Sequence, residues 1–236
     1  MFKYWIDKFK KEKTRLFAKI SDKIFKTTKF DDYQRKYANY YQNNYSLTVG
    51  QYSFVHIPKT AGSFLHTWLQ KNSTNFYNAA HNAVSLKCDP KKYNYITTLR
   101  DPSQRVYSYY LMQKNNVKLS YYNHANVNLD FFLQKSWSSR NGICKFINGY
   151  INKELNDELY QISLNNLKNF YFVCDFDNIQ NDFNELKQKL GIKKEFNLIK
   201  NHKIPKREIS IKENQLIEKY NYFDLKLYNY FKNHLI

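Results

Sequence analysis

Three cysteines, Cys88, Cys144 and Cys174, are all that the 236 residues contain. An odd number cannot pair fully within one chain, and no Cys-x-x-Cys or mixed His/Cys cluster occurs. The sequence therefore offers neither a disulfide framework nor a zinc site, and free thiols in a reducing compartment are expected, with no metal. Long apolar runs are missing as well. No stretch of about 18 apolar residues is there to span a bilayer. The N-terminus lacks the uninterrupted apolar segment of a signal peptide, which makes the cytoplasm the default compartment. Acidic side chains are scarce: 20 Asp and Glu stand against 38 Lys and Arg, for a net charge of +18. The 22 tyrosines and 18 phenylalanines fit a bias towards AT-rich codons. Such a bias does not itself remove acids, so the charge implies anionic company: a nucleotide, an acidic glycan, nucleic acid or an anionic membrane. Internal repeats, zinc-finger and RNP signatures and an obvious recognition helix are also absent, so no nucleic-acid partner is expected.

What is present suits one domain with a substantial core, at 28.7 kDa. Residues 1–45 read as an extension ahead of a domain over 46–236. In the extension Phe2, Trp5, Ile6, Phe9, Leu16, Phe17, Ile20 and Ile24 recur at mostly helical spacing among Lys3, Lys8, Lys10, Lys11 and Lys19. This is a basic amphipathic helix, broken near Lys13, that either packs on the domain or a partner or lies peripherally on the inner membrane surface. A tyrosine-rich connector, residues 31–44, leads into the domain.

The domain is organised around Phe54 to Leu69. Gln51 to Ile57 is apolar, aromatic and of strand length, and Pro58 stops it because proline has no amide hydrogen to give a neighbouring strand. Gly62 permits close backbone approach, and Leu65, Trp68 and Leu69 resume at helical spacing. Such a strand-loop-helix aims amide hydrogens and the positive end of a helix dipole at one spot, to which Lys59 adds a full charge. It is an anion site in prospect. It is not a Walker A motif, whose glycines precede the lysine.

Further strands are expected over 74–80, ending at His81, over 93–99 and over 170–174. Asp101 can cap and Pro102 can open a helix reaching Gln113. More helices are indicated near 129–135, 141–151 and 154–167. The spacing of Ile179, Phe183, Leu186 and Leu190 gives another, which Gly191 closes. Leu216, Tyr220, Phe223, Leu227 and Phe231 predict one last helix. Strands alternating with helices argue for a parallel α/β sheet, with ligands outside the carboxyl ends of the strands. Lys59, His81 and Arg100 fall at three such ends. Arg105 reads most simply as an i, i+4 partner of Asp101. His56, His66, His124, His202 and His234 read as structural.

The order Pro58-Lys59-Thr60-Ala61-Gly62-Ser63 resembles the phosphosulfate-binding loop of sulfotransferases that use 3'-phosphoadenosine 5'-phosphosulfate, PAPS. The run Arg100-Asp101-Pro102-Ser103-Gln104-Arg105-Val106-Tyr107-Ser108 resembles the element that holds the donor's 3'-phosphate in the same superfamily. His81 between the two loops is similar to the base of the heparan sulfate 6-O-sulfotransferase branch. Asn141-x-x-x-Lys145-x-x-x-Gly149 is similar to a substrate-side Asn-x-x-x-Arg-x-x-x-Gly element, with lysine for arginine. Phe172 to Asp177 and Phe223 to Tyr228 resemble its late strand and last helix, so coverage runs over about residues 51–231. Ala61 replaces a usual glycine, and Phe64 a usual Ser or Thr, so Ser63 and Thr60 are expected to supply the hydroxyls.

The resemblance implies a three-layer sandwich of the P-loop NTPase kind and transfer of a sulfuryl group from PAPS to a hydroxyl of a glycan or other hydroxyl acceptor, expected to be anionic, leaving 3'-phosphoadenosine 5'-phosphate. It implies Lys59 and His81 as catalytic residues, Lys59, Thr60, Ala61, Gly62, Ser63, Arg100 and Ser108 around the donor, and Asn141 and Lys145 towards the acceptor. The rival readings are a nucleotide-dependent kinase and a non-enzymatic, basic nucleic-acid-binding module.

Overall fold

The computed structural model describes residues 47, 50–73, 75–117, 119, 122–194 and 208–235, with 77–82 and 122 described by their backbone alone. The amphipathic stretch expected over residues 2–28, the connector after it and His202 lie outside the described residues.

In chain order the elements are β1 (Tyr52–Val55), α1 (Gly62–Asn72), β2 (Phe76–Asn82), β3 (Asn94–Leu99), α2 (Pro102–Lys114), α3 (Tyr122–Val127), α4 (Leu129–Lys135), α5 (Gly142–Asn148), α6 (Asp157–Lys168), β4 (Phe172–Asp175), α7 (Ile179–Lys189), α8 (Ile211–Tyr220) and α9 (Tyr222–His234). Among the described residues four strands form one sheet in the order β2-β1-β3-β4, and their pairings are parallel. The α/β class expected from the alternation is what the chain adopts.

Period-two alternation sorts the strand side chains to two faces. Phe54, Ile96, Phe172 and Cys174 meet Leu65, Trp68 and Leu69 of α1 and Phe183 and Leu186 of α7. Val55, Tyr95 and Leu99 belong to a larger cluster with Val106 of α2, Phe132 of α4, Ile143 and Ile147 of α5 and Leu227 and Phe231 of α9. Helices thus cover both faces. Each fully buried side chain of this size contributes roughly 1.5–3 kcal/mol of apolar transfer, which is why the strands read as nearly continuous hydrophobic runs.

Several expected boundaries move. The ladder of β1 stops at Val55, while His56 and Ile57 lie buried just beyond it. β2 extends through Asn82, so His81 lies within the strand and not after it. The last amphipathic stretch is two helices, parted at Asn221. Asn221 is buried, its amide donating to the Ile217 carbonyl at 2.9 Å and its side-chain oxygen accepting from the Asn141 amide at 3.0 Å. A one-residue break leaves the apolar residues in phase, so periodicity could not show it.

Cys88, Cys144 and Cys174 are free and buried, and burial pushes the thiols of Cys144 and Cys174 up, which keeps them inert. Among the described residues no helix is long and apolar enough to cross a membrane, and no group of three or more His, Cys, Asp or Glu is placed to hold a metal.

Candidate functional site

Strand order decides where the site lies. The chain leaves β1 for β2 on one side and then crosses back to β3 on the other, so the carboxyl ends of β1 and β3 flank a topological switch point. The loop after β1 carries Lys59, and the residue next after β3 is Arg100. They meet: the Arg100 guanidinium donates to the Lys59 carbonyl at 3.3 Å.

The loop backbone is unusual. Lys59 has φ 73° and Ala61 φ 63°, both left-handed, and Thr60 between them does not. Each such non-glycine residue costs about 1–2 kcal/mol, a strain that collects at functional sites. Alternating φ sign is the backbone pattern of a nest, in which successive amide hydrogens turn to one side and can receive an anion. Ala61 is also the N-cap of α1 and supplies no side-chain acceptor to the first turn, so the helix presents its positive end uncapped by a side chain. Gly62 is required by packing: an added Cβ would sit 2.4 Å from Cδ2 of the buried His56 ring. His56 is therefore part of the loop's floor, with Nε2 3.5 Å from the Ser63 hydroxyl.

Thr60 differs from its expected role. It is wholly buried and its hydroxyl donates to the Ile57 carbonyl at 2.9 Å, which leaves its amide and not its hydroxyl proton to an anion. Ser63 is exposed at the start of α1.

Both cations are half-buried. Burial lowers the Lys59 ammonium below its usual range and the nearby Arg100 lowers it further. Burial likewise lowers Arg100, with Asp101 and Asp177 opposing. Among the described residues no carboxylate reaches ion-pair distance of either. The acceptor found for the Lys59 ammonium is the Met112 sulfur, at 3.6 Å, a weak one. Met112 lies one turn beyond Ser108 on α2, so the helix face bearing Ser108 is turned towards Lys59. An anion placed between the two cations would relieve both.

A pH dependence follows. A lysine whose folded pKa is depressed gives up its proton first in the folded state. Stability should therefore rise with pH from that lowered value up to the unfolded pKa of about 10.4, while anion affinity falls over the same window. Lys59→Met should remove the cost outright. We expect its thermal midpoint to lie above wild type, together with loss of anion binding. A melt showing no gain would mean that the ammonium is already well compensated.

His81 belongs to β2 beside this loop. Ser53 pairs with Tyr77 and Val55 with Asn82, so two steps on β1 oppose five on β2, a bulge that ends just past His81. Bulges next to sites re-aim side chains. The His81 side chain itself is outside what the structure describes.

Asn141 and Gly149 bracket α5 with left-handed backbones, φ 49° and 81°. The Asn141 side-chain oxygen accepts from the amides of Phe223 and Asp224 at 3.0 and 3.2 Å, which pins α9 to α5. Lys145 is buried, its ammonium 3.9 Å from Glu154, which Arg140 also approaches at 3.4 Å. The Val84 amide donates to the Phe146 carbonyl at 2.9 Å, so α5 runs beside the chain leaving β2.

Arg105 corrects the sequence reading. Asp101 does cap α2, accepting from the Gln104 amide at 2.8 Å, yet Arg105 turns into the core. It pairs with Asp224 at 3.4 Å and donates to the Ser138 carbonyl at 3.1 Å, both side chains being wholly buried. Met112 beside Lys59 was also missed, since α2 reads as an ordinary apolar-faced helix.

An open cleft of about 720 Å³ between the start of α2 and α8 is lined by Asp101, Gln104, Glu208, Asn214 and Glu218. Its three acids oppose an anion, so the Lys59 and Arg100 crevice is the better candidate despite the cleft's size.

No family model matches the chain, and no curated protein matches it either.

Proposed function

We propose that the chain is a PAPS-dependent sulfotransferase, a P-loop-like three-layer sandwich that moves a sulfuryl group to a hydroxyl of an anionic glycan. The observation that carries this reading is the meeting of two half-buried cations at the switch point, Lys59 and Arg100, with no carboxylate partner among the described residues, one from each of the two loops with the resemblance. A nucleotide bearing both a 5'-phosphosulfate and a 3'-phosphate has an anion for each.

In this reading the amides of Thr60, Ala61, Gly62 and Ser63 hold the 5'-phosphate at the positive end of α1. Arg100 and Ser108 take the 3'-phosphate. His81, in its neutral form, accepts the proton of the acceptor hydroxyl as the new O–S bond forms. Lys59 stabilises the negative charge that collects on the bridging oxygen as the old S–O bond breaks. The sulfuryl group carries less charge than a phosphoryl group, so the divalent ion needed for phosphoryl transfer has less to neutralise. Lys145, on the helix beside the end of β2, stands on the acceptor side. The cytoplasm supplies such a donor and keeps the three thiols reduced.

The reading is tested by titration calorimetry with adenosine 3',5'-bisphosphate, AMP and ATP. Wild type should bind the bisphosphate most tightly. Arg100→Ala should cost roughly 10- to 100-fold for the bisphosphate, the equivalent of one charge-assisted pair of about 1.5–3 kcal/mol, and much less for AMP. Bisphosphate affinity no greater than that of AMP would overturn the donor assignment, and tighter ATP binding with magnesium-dependent turnover would favour a kinase.

A further inference from the structure

The fourth strand ends beside the third, and the residue that follows it bears on Arg100. Asp175 is opposite Leu99 in the β3 and β4 ladder, so Phe176 and Arg100 leave the sheet side by side. The Phe176 ring centroid lies 4.3 Å from the guanidinium carbon.

The ring has a firm seat. It opens a short 3-10 turn, Phe176–Asn178, in which the Asp175 carboxylate accepts from the Asp177 amide at 3.1 Å. The second carboxylate oxygen of Asp175 accepts from the Lys232 ammonium, and Asp182 accepts from the Asp175 amide. The Tyr228 hydroxyl reaches Asp177 at 3.5 Å. Helices α7 and α9 thus pin the turn, whereas Arg100 is a long flexible side chain.

We infer that Phe176 is the positioning residue for Arg100, and that through it the end of β4 sets the preference for a ligand with a second phosphate. The inference rests on the proposed donor reading. A guanidinium offers two faces and a donor edge. Phe176 covers one face, and the Lys59 carbonyl takes one edge hydrogen at 3.3 Å, leaving other edge hydrogens for a phosphate. An aromatic face attracts the cation without competing for those hydrogens or cancelling the charge, as a carboxylate would. Asp101 and Asp177 both act electrostatically on Arg100 without pairing with it. With the ring removed, the guanidinium is free to swing onto them and away from the ligand.

The test uses full-length protein titrated with adenosine 3',5'-bisphosphate and with AMP. Phe176→Leu should weaken bisphosphate binding about 3- to 10-fold while AMP stays within about twofold, and Phe176→Met should do the same should the leucine variant misfold. Phe176→Tyr keeps the ring and should stay within about twofold of wild type for both ligands. In an Arg100→Ala background, Phe176→Leu should have no further effect, which a merely structural role would not produce. Additive losses in the double variant, equal losses for both ligands, or wild-type bisphosphate affinity in the leucine and methionine variants would each overturn the inference and leave the donor reading intact. A wild type that does not prefer the bisphosphate over AMP would overturn the donor reading, and this inference with it.

Discussion

Replacing His81 with alanine is expected to lower turnover about 100-fold or more while adenosine 3',5'-bisphosphate binds nearly as before. A neutral imidazole makes no ion pair with the donor, so its loss is felt where the acceptor proton moves. Lys59 should behave differently. Its half-buried ammonium has the Met112 sulfur as acceptor and Arg100 as neighbour, so a bound anion is its natural partner before any bond changes. Lys59→Ala should therefore weaken donor binding and slow turnover together, because the same charge is needed more strongly in the transition state. Release of adenosine 3',5'-bisphosphate from PAPS across a panel of anionic sugars gives the rates. The wild-type profile should rise through a histidine pKa of roughly 6–7, and that limb should vanish in the His81 variant. Near-normal turnover of His81→Ala would place the base elsewhere and leave the bulge of β2 without a catalytic purpose.

Asp224→Ala should cost about 3–5 kcal/mol of folding stability. The carboxylate is wholly buried and accepts from the Ile143 and Cys144 amides at 2.9 and 2.8 Å, capping the start of α5, as well as pairing with Arg105. Burial raises this carboxyl and lowers Arg105, so each ion depends on the other and on these amides. Removing one leaves the other charged and unpaired in the core. Arg105→Met with Asp224→Leu should therefore lose less than the two single changes added together. Recovery should stay incomplete, because two amides of α5 would still lack their acceptor. Urea denaturation of the four proteins measures this directly, and simple additivity would show that the pair is not coupled.

Much of the framework was legible because it is written locally. Pro58 and the apolar run before it placed β1. Asp101 and Pro102 opened α2, and Gly191, with φ 65°, closed α7. The brackets of α5 at Asn141 and Gly149 were visible as a motif, though not as a pair of left-handed turns. Caps, prolines and periodicity act over one or two turns of chain, so neighbouring residues suffice to reveal them. The same locality misled at Arg105, where an i, i+4 partner in Asp101 looked sufficient. A buried partner 119 residues away took it instead, since a wholly buried guanidinium needs a carboxylate that is buried with it.

The anion loop could be suspected from Lys59 and Gly62, and Arg100 from its place after a strand. That the two touch is a consequence of β1 and β3 being neighbours in the sheet. No local rule sets that order; packing on both faces of the sheet does. Gly62 marks a close approach in the sequence, but only the fold shows that the approaching group is the His56 ring. Phe176 entered for a similar reason. In the sequence it falls just past the strand expected over 170–174, with no role assigned to it, and only the pairing of β3 with β4 brought its ring over the guanidinium. Residue types and turns were determined by the sequence alone, because their energies are local. The company that Lys59, Arg100 and Arg105 keep was decided by the tertiary structure, because burial and charge compensation depend on groups that the chain brings together only when the sheet closes.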